Sequence, residues 1–83
     1  MNLPFNKNYY NNSELINWKE LKKDFFTLLE YDEYLHYKFF EGLGAIESIL
    51  ENRMFNHSAR SYDIRFLAFI VRNRKELKIV LSN

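Results

Sequence analysis

Arg72, Arg74, Lys75 and Lys78 crowd one short stretch near the end of this chain, with Arg60 and Arg65 upstream. Guanidinium groups form paired, charge-assisted bonds to phosphate or carboxylate, so such a cluster suits an acidic partner. No arginine precedes Arg53. Residues 1–52 hold five Lys against nine Asp+Glu, a balance of −4; residues 53–83 hold five Arg and two Lys against Asp63 and Glu76, a balance of +5. A net charge of +1 therefore hides a polarised molecule. Polarity of this kind speaks to partners more than to fold. The plainer explanation of the cluster is a solvated helix end, where cations complement the dipole.

Tyr31, Tyr34 and Tyr37 recur at steps of three, beside Lys38 and Glu41. Tyrosine is enriched at binding hot spots, because it offers a rigid ring and a polar tip. The same residues could equally rim the core with their hydroxyls in water. His36 and His57 are the only histidines. Asp32 and His36 stand one helical turn apart, but two ligands make no metal site. The carboxylate pairs Asp32/Glu33 and Glu47/Glu51 lack a visible neighbour that would shift a pKa for acid–base work. Gly42-Leu43-Gly44 lacks the third glycine and the preceding strand of a phosphate loop. Ser58 beside His57 has no third partner in view. Arg53 and His57 resemble the Arg–His pair of the helical RNA-cutting HEPN domains, with three residues between them where those domains place four to six. That resemblance implies a nuclease as the enzymatic reading. No catalytic residue, cofactor or metal is otherwise expected, and the chain reads as non-enzymatic.

These residues need a scaffold, and composition bounds it. Eighty-three residues make one domain, 1–83, with 1–12 as an N-terminal arm. A chain this short has a small stability margin, offset by an 18% aromatic content. Two glycines and one proline force few turns, which favours helices over a many-stranded sheet. The absence of cysteine rules out disulfides, thiolate metal sites and thiol catalysis. The first residues lack an apolar run behind a basic start, so no secretory signal is read. The longest apolar run, Phe66 to Val71, is far short of a membrane span. A cytoplasmic protein is expected. The richness in Asn, Phe, Lys, Tyr and Ile matches AT-rich codons, as in an AT-rich bacterium or its mobile elements.

The expected fold is all-α, a compact bundle of three to four short helices. Leu15, Trp18, Leu21, Phe25 and Leu28 recur at helical steps, predicting a helix near 13–30 capped by Asn12 or Ser13. Asp32 caps the next, whose stripe is Leu35, Phe39 and Leu43, with a break expected at Gly42. A short helix is predicted near 45–55. Phe66, Phe69, Ile70, Leu77, Val80 and Leu81 share one helical arc, interrupted by Asn73, which predicts a long helix near 61–80. The alternative is a two-strand hairpin at about 65–81, giving an α+β fold. Segments 45–55 and 61–74 could form a helix-turn-helix, although their connection is long and lacks glycine. The predicted core is Trp18, Leu21, Phe25, Leu28, Leu35, Phe39, Leu43, Ile46, Leu50, Phe66, Phe69, Ile70 and Leu77.

Three functional classes follow. The first is a small binding protein, an inhibitor or adaptor of the type made by mobile elements. It would dock on a larger protein through Tyr31, Tyr34 and Tyr37 and through Arg60, Arg65, Arg72, Arg74, Lys75 and Lys78. The second is a nucleic-acid-binding regulator that uses the same basic cluster. The third is the nuclease. A homo-oligomer is compatible with the first two, since an acidic half can meet a basic half of another copy. No membrane partner is expected.

Overall fold

The computed structural model describes residues 7–10 and 15–82. The expected caps Asn12 and Ser13, and Pro4 and Phe5 of the arm, lie outside the described residues. Among the described residues five α-helices follow in order: α1 Trp18–Glu30, α2 Glu33–Lys38, α3 Leu43–Phe55, α4 Ser61–Arg72 and α5 Arg74–Leu81. A 3-10 turn, Phe39–Glu41, separates α2 from α3. The all-α expectation holds, and the hairpin alternative does not: 65–81 is helical on both sides of Asn73. No helix among the described residues is long and apolar enough to cross a membrane.

The helix count is five because the long C-terminal helix breaks at Asn73. Its backbone sits at φ −116°, ψ 20°, outside the helical region. Both its backbone N–H and its side-chain amide donate to the Phe69 carbonyl, at 3.1 and 3.0 Å. An asparagine amide that captures a backbone carbonyl competes with helix continuation. Its own carbonyl then accepts the Leu77 N–H at 2.8 Å and starts α5. The apolar arc continues across the break, which is why periodicity alone joined the two pieces.

Helix α1 starts at Trp18, later than expected. Asn17 caps it, its side-chain oxygen accepting the Glu20 N–H at 3.1 Å. Asp32 caps α2 as predicted, accepting the Leu35 N–H at 3.0 Å. Gly42 ends the 3-10 turn at φ 101°, a conformation that side chains with a Cβ rarely adopt. It also opens α3, so the expected break is observed.

Leu21, Phe25, Leu28 and Leu29 of α1 meet Leu35, Ile46, Leu50, Phe66, Phe69, Ile70 and Leu77 in one core. Phe25 sits at its centre, with ring centroids 5.4 Å from Phe39 and 5.8 Å from Phe66. Phe39 and Leu43 are only partly buried, and Trp18 is exposed, a correction to the predicted core. Tyr9 is a core residue that periodicity could not find. It reaches in from the arm, packs edge-on against Phe69 and donates its hydroxyl to Asp24 at 2.8 Å. Lys7 reaches Asp24 and Glu20 at 3.2 and 2.6 Å, and Tyr10 donates to Glu76 at 2.9 Å. The described part of the arm is therefore docked, with the Tyr9 carbonyl accepting the Asn17 N–H at 2.7 Å.

Candidate functional site

The late arginines divide into two groups. Arg53 and Arg60 turn inward to two carboxylates. The Arg53 Nη1 donates to Asp32 Oδ2 at 2.9 Å and to Asp63 Oδ1 at 2.8 Å. Arg60 donates through Nη2 to Asp32 Oδ2 at 2.9 Å and through Nε to Asp63 Oδ2 at 3.2 Å. The Arg60 backbone N–H adds a bond to Asp63 at 2.9 Å, so Asp63 also caps α4. This four-residue network joins the α1–α2 joint, the end of α3 and the start of α4. Asp63 has no exposed side-chain surface, whereas Arg60 is 63% exposed. Burial pushes both carboxyls up, but the guanidinium and backbone donors outweigh it and hold Asp32 and Asp63 below the usual carboxylate range. Arg74 is tied to Glu47 and fastens α5 to α3.

Arg72, Lys75 and Lys78 are exposed, and no carboxylate pairs with them among the described residues. Arg65 is exposed on α4. Pairing within the chain thus divides the six cations expected from sequence. Arg60 and Arg74 bond within the chain, while Arg72, Lys75 and Lys78 mark the α4–α5 end.

The tyrosines stand out from the body. Tyr34 is 51% and Tyr37 69% exposed, and Phe40 beyond them is 75% exposed. The Tyr37 and Phe40 rings meet edge-on at 6.0 Å. The Lys38 ammonium lies 5.9 Å from the Tyr34 ring centroid and 5.8 Å from that of Tyr37, and it pairs with Glu41 at 3.1 Å. Three large rings and a cation thus form one continuous ridge along α2 and its 3-10 turn. The ridge exists because Leu35 faces the core, leaving the remaining positions of a short helix on the outside. Tyr31 differs: its ring packs on Tyr62 at 5.8 Å. Phe40 stands next to the stripe residue Phe39 but is exposed. It lies in the 3-10 turn, where its ring meets that of Tyr37.

Arg53 and His57 occupy the end of α3. His57 sits at φ 58°, in the left-handed position that closes the helix. Its N–H bonds the Met54 carbonyl at 3.1 Å, and the Ser58 N–H bonds the Arg53 carbonyl at 2.8 Å. This is a Schellman closure with histidine where glycine is usual. The Arg53 guanidinium is engaged by Asp32 and Asp63, and the His57 side chain is exposed. Among the described residues no group of three or more His, Cys, Asp or Glu could hold a metal ion. Comparison with known protein families, curated proteins and solved structures finds no match to this chain.

Proposed function

We propose that this chain is a small non-enzymatic binding protein, of inhibitor or adaptor type, that docks on a larger protein. The ridge of Tyr34, Tyr37 and Phe40 would be the anchor. The observation that carries the reading is that three adjoining rings, each at least half exposed, stand on α2 and the 3-10 turn that follows it. Single exposed apolar residues need no explanation, whereas clustered ones mark interaction surfaces. Aromatic anchors lose little conformational freedom on binding, which is why they dominate hot spots. The mechanism would be occlusion, with the rings filling pockets of the partner and Tyr31 at the margin. Arg72, Lys75 and Lys78 offer charge for a second contact. A cytoplasmic setting fits the cysteine-free sequence.

Affinity capture from the source cell, with and without nuclease treatment, tests the proposal. Stoichiometric recovery of one protein in both conditions is expected, with loss on Tyr34→Ala/Tyr37→Ala/Phe40→Ala at unchanged thermal stability. Recovery that disappears with nuclease, or survives the triple substitution, counts against it.

One observation favours a second reading, nucleic-acid binding. Lys19, Lys22 and Lys23 on α1 also lack a paired carboxylate among the described residues, and α1 packs against α5 with its Lys75 and Lys78. Phosphate binding through such a set would fall steeply with salt. A titration with DNA and RNA at low salt would show it, and absence of association would remove this reading.

A further inference from the structure

We infer that copies of this chain associate with one another, the ring-bearing face of α2 in one copy seating against the Lys75–Lys78 face of α5 in the next. This goes beyond docking on a larger protein and stands or falls without it.

Internal pairing decides which charges remain for contact. Asp32, Asp63, Glu47, Glu41, Glu20 and Asp24 are each bonded to a cation of the same chain. Glu30 and Glu33 are exposed and lack such a partner among the described residues, and they flank the start of α2. Glu33 and Tyr37 stand one turn apart on α2, and the Phe40 ring meets that of Tyr37. Lys38 is neutralised by Glu41. The ring-bearing side of α2 is therefore apolar and negative.

The exposed side of α5 and the end of α4 have the opposite character. Arg72, Lys75 and Lys78 are the exposed cations there, and Val71 and Ile79, on either side of them in sequence, are about half exposed. Lys75, Lys78 and Ile79 share one side of α5, again by steps of three and four. Each surface thus offers apolar area with charge of one sign, and the signs are opposite. The rings of α2 also accept an ammonium: Lys38 already lies within 6 Å of two of them. Lysines of a second copy would meet both carboxylates and ring faces. Because the two surfaces differ, the contact is heterologous, and each added copy presents a fresh face to the next.

Sedimentation velocity on the full chain, over a concentration series at low and high salt, tests this. Wild type is expected to gain mass with concentration, with affinity weakened about tenfold or more by raised salt. Glu30→Lys/Glu33→Lys places cations on both surfaces, and Lys75→Glu/Lys78→Glu places anions on both. Each variant alone is expected to remain monomeric at concentrations where wild type associates. An equimolar mixture should recover association, because the reversed surfaces complement each other. Tyr37→Ala should weaken the contact with no change of charge. Circular dichroism on each variant checks folding. A wild type that stays monomeric throughout, charge reversals that leave association intact, or a mixture that fails to recover would each overturn the inference.

Discussion

Replacing Arg53 by alanine should be the most damaging single change outside the apolar core. One nitrogen of Arg53 bridges Asp32 and Asp63, and removing it leaves two buried carboxylates facing each other. Breaking a buried ion pair from one side costs roughly 3–5 kcal/mol. The low end applies, because Arg60 and the Leu35 and Arg60 backbone N–H groups still reach the two carboxylates. The expected loss is about 3 kcal/mol at neutral pH, or a fall in Tm of roughly 15 °C for a domain of this size. The pH dependence separates charge from packing. Both carboxyls have lowered folded values, so their contribution is present above their unfolded value near 3.9 and is lost as pH falls through the folded value. In Arg53→Ala the main donor to Asp32 and a lesser donor to Asp63 are gone, so both carboxyls move upward. The difference between wild type and variant should therefore shrink to about 1 kcal/mol once the medium is acid enough to protonate both. Urea unfolding followed by circular dichroism at neutral and acid pH measures this directly. A neutral-pH loss under about 1 kcal/mol, or one that is the same in acid, would refute the network as a charge-based clasp.

Two further outcomes concern single residues. The Tyr62 hydroxyl is buried without a hydrogen-bond partner among the described residues, and burial, with Asp32 and Asp63 nearby, pushes its ionisation up. Tyr62→Phe keeps the ring packed on Phe66 and Tyr31 and removes the orphan group; stability should hold or rise by up to about 1 kcal/mol, and a comparable loss by urea unfolding would mean that the hydroxyl is satisfied in solution. His57→Gly relieves a left-handed φ of 58° at the close of α3 and should stabilise by up to about 1 kcal/mol in a thermal melt. A clear drop in Tm would show that the imidazole makes a contact of its own.

Much of the architecture was legible in the chain. Leu21, Phe25 and Leu28 announced α1, Asp32 announced the cap of α2, and Gly42 announced the break before α3. These are local signals, settled by periodicity and by backbone conformations that few residues adopt. The misses have non-local causes. Tyr9 enters the core from an arm without periodicity, and Asp24 accepts its burial only because Tyr9 and Lys7 come to it. Asn73 looked like a single polar interruption, yet its amide reaches the Phe69 carbonyl and ends the helix. The basic cluster was the least legible feature. Arginines that look alike in sequence divide according to whether a carboxylate distant along the chain lies within reach. Arg60 finds Asp32, 28 residues away, and Arg74 finds Glu47, 27 residues away. Of the expected contact residues, Tyr34 and Tyr37 do project outward, and Phe40 joins them from the 3-10 turn after α2.

The brevity of α2 has a practical corollary. Six residues are too few to hold a helix in water, since the first turn is unfavourable to form and little propagation follows. Its geometry is lent by Asp32 at one end and by Leu35 beneath. A synthetic peptide of this segment would carry every ring in the right order and still fail as a competitor, because the spacing between the rings belongs to the whole domain. If a partner reads that surface, as proposed, it reads a folded state, so heat, acid or a misplaced substitution in the interior would silence it without touching a single exposed atom.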